Sequence, residues 1–421
     1  MASDRPTGPW TAPTHPPTGE PRKVALGPVF LTVLLDLLGF GLVVPLMPYY
    51  VEGFGASALQ VTIVMAMYSI AQFLFAPAWG SLSDRIGRRP VMLVSIAGTA
   101  VFLALFASAN ALWMLFVFRA LHGACAANIG TAQAIVADVT KPEDRARGMG
   151  MIGAAFGIGL TFGPALGGLL AGYGVAVPIW VAAALSALNF GWAFLRLPET
   201  RNASGNDRVR RTLDPAAVVR TLTDPVVGMA VGLTFVGTFA FSMLEVTFAL
   251  VAKHEWSMTA TTVGGLFATI GIVGIVIQGG LIGRLTKAFG EGRLLNTGYL
   301  CTASGMGVLA ATGPAHLWLG HGWVGIVLGC VLVAIGTSLS NPSLSSLVSR
   351  GAAADTQGSV LGVNQALAAL ARAAAPTVGG LLYTGWYTGG AFAAGALMMA
   401  VALVVSIPAA RRATQRTVAS R

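Results

Sequence analysis

Twenty-three of the 26 lysines and arginines in this chain lie in its terminal segments or in every second gap between long apolar stretches. The groups are Arg22 with Lys23, Arg85 with Arg88 and Arg89, Lys141 with Arg145 and Arg147, Arg196 to Arg220, Arg284 with Lys287 and Arg293, Arg350, and Arg411 to the end. The alternate gaps hold only Lys253, while Arg119 and Arg372 sit inside apolar stretches. Cytoplasmic loops of membrane proteins carry the Lys/Arg excess. The ladder therefore predicts an all-α polytopic membrane protein with both termini in the cytoplasm.

Composition agrees. Charged residues make up 10% of the chain and hydrophobic residues 55%, against roughly one quarter charged in soluble domains. A net charge of +10 would suggest nucleic acid in a soluble protein. Here the positive groups alternate with spans and no basic stripe interleaved with aromatics exists, so no nucleic-acid partner is expected. Cys125, Cys301 and Cys330 lie within apolar stretches and read as small buried hydrophobes. Residues 1–23 carry six prolines and no apolar core, which reads as a disordered cytoplasmic tail and not a secretion signal.

Apolar segments run over 24–50, 57–79, 91–109, 111–137, 147–172 and 175–197, then 225–251, 259–282, 293–313, 322–348, 358–382 and 385–408. Each is near the ~20 residues that cross a bilayer, so twelve transmembrane helices are expected. The polar stretch 199–224 divides them into a six-helix half at 24–198 and another at 225–410, with a tail at 411–421. The halves look duplicated. Residues 163–170 (GPALGGLL) align with 375–382 (APTVGGLL), and 80–87 (GSLSDRIG) align with 283–290 (GRLTKAFG). Such repeats around a midplane site imply alternating access by rocking.

The segment Gly80-Ser-Leu-Ser-Asp84-Arg85-Ile-Gly87-Arg88-Arg89-Pro90 resembles the signature loop of the major facilitator superfamily. Span five, with Gly159, Gly163, Pro164, Gly167 and Gly168, resembles the motif that marks antiporters there. Span one, Leu35 to Pro48, is similar to the twelve-span drug:proton antiporters, closest to bacterial tetracycline and multidrug efflux pumps over about residues 30–200. Arg119 to Gly123 resembles that group's fourth-span motif, with His122 where glutamine is common. The chain departs from the tetracycline pumps in spans three and nine, where they carry carboxylates. Phe102 stands at the first place and span nine holds no Asp or Glu. The resemblance implies drug efflux as a class, not tetracycline itself, in a bacterial-type inner membrane. It also implies that Asp84 locks the halves on the cytoplasmic side when the path opens outward.

Ionisable residues inside a membrane are costly and are functional candidates by default. Asp36, Arg119, Glu245 and Arg372 qualify. At 1.5 Å per residue, Asp36 and Arg119 reach similar depths, about 16 Å from one face and roughly 13 Å from the other. They are expected to pair across spans one and four. Burial disfavours a carboxylate's charge and a nearby cation favours it, so Asp36 could take up the driving proton with Arg119 tuning it; a static ion pair is the alternative. On an ideal helix Phe40, Val43 and Met47 share the face of Asp36, and His122 and Gln133 share that of Arg119. These could wall a small-molecule cavity, with plain packing the alternative for Phe40 and Met47. His122 reads first as a hydrogen-bonded core histidine and second as a proton relay. Glu245 could recruit cationic drugs, pair with Arg372 or sit in a hydrated vestibule. Gln278, Asn341, Asn364 and Gln365 could line the second half's side of the cavity or bond helix to helix. In the signature loop, Asp84 could cap a neighbouring helix N-terminus, while Arg85, Arg88 and Arg89 bind carboxylates or lipid phosphates.

The expectation is a monomeric proton-coupled exporter of lipophilic drugs that uses no cofactor beyond its protons. An exporter of sugars or an endogenous metabolite is the alternative. No Gly-x-x-x-x-Gly-Lys-Ser/Thr sequence is present to bind ATP. The scattered polar residues form no cluster of the kind a membrane enzyme would need.

Overall fold

The computed structural model describes residues 26–140, 145–200, 215–312, 322–351 and 357–419. The expected N-terminal tail, Lys141 and linker residues 201–214 lie outside the described residues, as do the last two residues of the C-terminal tail.

Among the described residues all regular structure is helical. The first half comprises α1 (Leu26–Phe54), α2 (Ala58–Ile86), α3 (Arg88–Ala107), α4 (Leu112–Val139), α5 (Arg145–Ala171) and α6 (Val177–Arg196). The second comprises α7 (Val227–His254), α8 (Ala260–Phe289), α9 (Glu291–Thr312), α10 (Gly322–Gly351), α11 (Gln357–Gly385) and α12 (Gly390–Ala419). A short helix, Pro215–Thr223, lies in the segment expected as linker. Ten of the twelve are long and apolar enough to cross a membrane, and α5 and α9, with 27 and 22 residues, complete the set. An even number of passes puts the start of α1 and the end of α12 at one end of the bundle, the tail end; the opposite is the far end.

Helix limits follow local chemistry, and the two halves repeat it. Ser57 caps α2, its hydroxyl accepting from Gln60 N while the Gln60 side chain accepts from Ser57 N. Thr259 caps α8 in the same way through Thr262 N. Gly87 and Gly290, equivalent positions of the repeated segment, end α2 and α8 with φ of +109° and +78°, a region glycine enters without steric cost. The second span therefore runs on to Ile86, and the expected loop over 80–90 reduces to Gly87 alone.

Three irregularities change side-chain register. A 3₁₀ turn at Val44–Leu46 interrupts α1 beside Pro45. The chain leaves helical geometry between Cys125 and Ile129 within α4. A π-helical turn spans Val276–Leu281 in α8, a feature frequent at functional sites.

Small residues let the helices approach closely. A Cβ at Gly163 would come 2.7 Å from the Gly41 Cα, and one at Gly159 would come 2.6 Å from the Leu37 Cβ, so α5 seats directly on α1. Between the halves, Gly168 of α5 meets Gly264 of α8, and Gly380 of α11 meets Thr62 of α2. All four positions lie toward the far end. Nearer the tail end, α2 from Leu74 to Ala78 and most of α8 from Ile272 onward are exposed. The bundle is closed at the far end. One apolar core gathers Leu42, Met47, Phe106 and Leu115 of the first half with Val246 and Leu250 of α7, and another gathers Val231, Phe248, Leu295 and Phe392 of the second half.

Candidate functional site

Three of the four membrane-embedded charges converge between the halves, and Asp36 does not line the same cavity. Arg119 of α4, Glu245 of α7 and Arg372 of α11 line one central cavity with Phe40, Ser69 and Ser242. The cavity holds about 30 Å³, room for roughly one water and far below the ~300 Å³ of a small-molecule pocket. In this closed conformation it cannot enclose a drug.

The expected Asp36–Arg119 ion pair does not form among the described residues. Asp36 Oδ2 instead accepts from Asn128 Nδ2 at 2.8 Å, and its Oδ1 is buried without a hydrogen-bond partner. The break after Cys125 takes the chain out of helical register and delivers the Asn128 amide to α1, while Arg119, which precedes it, turns to α2. Arg119, 1% exposed, lies over the Tyr68 ring, its guanidinium carbon 4.6 Å from the centroid. Its Nη1 is 3.2 Å from His122 Nδ1. A guanidinium has donors only, so His122 accepts there, the geometry of the hydrogen-bonded core histidine. The Tyr68 ring also packs against Phe40 at 5.2 Å and His122 at 4.9 Å. It sits in α2 where Gly123 brings α4 against the Tyr68 backbone.

Other expected cavity residues divide. Phe40 lines the cavity, but Val43 and Met47 are fully buried in the core of the first half. Val43 precedes the 3₁₀ turn and packs into the core from regular helix, while Phe40 and Val44 face the cavity; past the turn the ideal 100° progression no longer holds for Met47. Gln133 lies beyond the α4 break and loses its register with Arg119. Gln278 donates to Ser338 Oγ of α10 at 3.4 Å, a bond between helices from within the π-helical turn. Asn341 and Gln365 are exposed, and Asn364 has a buried, unpartnered Oδ1. Glu245 and Arg372 face the same cavity without forming an ion pair among the described residues.

The signature segment works within its own half. Asp84 pairs with Arg88, not with a helix terminus. Arg88 Nε also reaches Asp138 Oδ2 at 3.2 Å, tying α3 to the end of α4. The cap on α3 comes from Glu199, whose carboxylate accepts from Arg88 N at 2.9 Å and Arg89 N at 3.2 Å. Arg89 donates to Phe194 O at 2.7 Å.

Sequence reasoning missed Tyr68 and Asn128. An amide inside an apolar span was a usable signal for Asn128, the same one that selected Gln133. Tyr68 carried none, because an aromatic residue in an apolar helix is ordinary packing.

Two six-helix halves with glycine-mediated crossings and charges facing one central cavity fit a membrane transport protein. The Major Facilitator Superfamily profile matches residues 29–376, and the chain belongs to that superfamily. Such proteins are transporters and not enzymes. The chain is 30% identical to the tetracycline resistance protein, class C, of Escherichia coli, over 90% of this chain and 95% of that one. It is 32% identical to major facilitator superfamily domain-containing protein 10 of Bos taurus, over 88% of each. The crystal structure of the human organic anion transporter MFSD10 superposes with a TM-score of 0.68 at 27% identity, covering 92% of this chain and all of that one.

Proposed function

We propose that this transporter is a proton-coupled antiporter that exports lipophilic drugs, tetracycline-like or of several kinds, across a bacterial-type inner membrane. The basic loops support a cytoplasmic tail end. In this reading residues 199–224 link two functional halves, the segments before 24 and after 410 are cytoplasmic tails, and one chain suffices for transport. The single observation that carries the coupling is the setting of Asp36, with Asn128 on one oxygen and no partner on the other. An unpaired carboxylate oxygen inside a membrane protein costs free energy that taking up a proton removes. Drug and proton then alternate: the proton neutralises Asp36 while the path faces outward, and its loss to the cytoplasm readies the cavity for drug. Arg119, held by Tyr68 and His122, keeps a buried cation in the first half without an ion pair to Asp36 among the described residues. The glycines of α5 seal the path through their contact with α1.

The test is extrusion of tetracycline and of cationic dyes from everted vesicles under an imposed proton gradient. Asp36→Asn abolishes gradient-dependent extrusion while the protein still inserts and folds. Coupled transport retained in that variant refutes the assignment.

A second reading is transport of organic anions. It is favoured by Arg119 and Arg372 facing one cavity against a single lining carboxylate, Glu245. The human structural relative, an organic anion transporter, points the same way. Competition of dye extrusion by a carboxylate drug, lost in Arg372→Gln, would favour this reading.

A further inference from the structure

We infer that Glu52, Lys253 and His254 form a latch that shuts the far end of the transport path, and that outward opening requires it to break. Glu52 lies in the last turn of α1, in the first half, while Lys253 and His254 end α7 in the second. Glu52 Oε2 is 2.5 Å from Lys253 Nζ and 3.1 Å from His254 Nε2. Lys253 Nζ also donates to Pro48 O at 3.2 Å and lies 5.3 Å from the centroid of the Tyr49 ring. The Tyr49 hydroxyl in turn donates to Met258 O, across the halves, at 2.8 Å. His254 Nδ1 is 2.9 Å from the hydroxyl of Tyr383 in α11, which ties the latch to a second helix of its own half.

Three observations make this more than a surface ion pair. The Glu52 side chain is 13% exposed and that of Lys253 27%, so removing one partner strands a partly desolvated charge. Lys253 is the one basic residue in the gaps that the positive-inside pattern leaves empty, and a cation placed there against the pattern has a specific partner. The pair also sits at the end where Gly168 and Gly264 bring the halves together. Rocking the halves apart at this end separates α1 from α7, so these bonds cannot survive in an outward-facing state. The latch needs only that the halves move. It is independent of the substrate and of the role assigned to Asp36.

The experiment uses the full chain with Cys125, Cys301 and Cys330 replaced by alanine and with Ser69→Cys in the central cavity as reporter. Intact cells are treated with a membrane-impermeant maleimide, which reaches the reporter only through the far end. Glu52→Gln and Lys253→Met should each raise the labelling rate about 5- to 150-fold, the span of ordinary conformational couplings. The exchanged pair Glu52→Lys with Lys253→Glu should bring labelling back toward the parent. His254→Asn, at an exposed side chain, should give a smaller rise and serves if a charge variant fails to insert. Labelling unchanged in the single variants, or in His254→Asn where they do not insert, overturns the latch. So does an exchanged pair that labels as fast as the single variants, because a mere loss of packing is not restored by reversing charges.

Discussion

Closure at the far end puts a hard limit on residue size where α5 meets α8. A Cβ added at Gly264 would lie 2.9 Å from Gly168 N and 3.2 Å from Pro164 O, and closer still to the Gly168 Cα. All three are backbone atoms of a packed helix, so no rotamer change relieves the overlap. Overfilling a packed site costs about 1–3 kcal/mol, and here the cost falls on the closed form alone, since opening separates the two helices. Gly264→Ala should therefore shift the equilibrium toward far-end opening by about 5- to 150-fold. Gly265→Ala is the matched control, because nothing lies within 4 Å of a Cβ there. Spin labels at Gly53→Cys in the first half and Trp386→Cys in the second, both exposed at the far end, report the separation directly. A longer-distance population should grow in Gly264→Ala and not in Gly265→Ala. Identical distance distributions in the two variants, both folded, would show that the α5–α8 crossing does not limit the outward-facing state.

Two further outcomes follow from the same geometry. Tyr68→Leu removes the ring under Arg119, a desolvated cation–π contact worth about 2 kcal/mol. Drug-stimulated transport in vesicles should fall about 30-fold, while Tyr68→Phe, which keeps the ring, stays near the parent; equal losses in both would assign the role to the hydroxyl. Glu199→Gln exchanges the charged cap on α3 for a neutral one and should lower thermal stability in detergent by about 1 kcal/mol while transport persists. An unchanged melting temperature would mean that the cap contributes nothing measurable.

Much of this arrangement was legible in the chain because the membrane makes it so. A bilayer admits apolar helices of fixed length, so runs of apolar residues suffice to place twelve helices. The same cost of burying charge singled out Asp36, Arg119, Glu245 and Arg372, and the last three face one cavity. Which groups touch was not legible. Pairing Asp36 with Arg119 rested on matching depths alone; Arg119 turns to Tyr68 and His122, and Asn128, delivered by the α4 break, takes the acid. Extending the α1 face to Met47 assumed an unbroken helix, and the turn at Val44–Leu46 sends that side chain into the core. Depth depends on residue count and survives such local breaks, whereas orientation depends on the accumulated rotation and does not.

Lys253 and Glu52 went unassigned for a different reason. Charges at span ends are expected in any membrane protein, so neither identity nor position marked them. The usable sign was the exception to the pattern: a lysine alone on the side where basic residues are scarce. A residue held against a global electrostatic preference needs a local compensation, and the compensation here comes from the opposite half of the molecule. Under the latch proposed above that contact breaks when the halves part, and the lysine that departs from the basic-loop pattern is the residue that tests it.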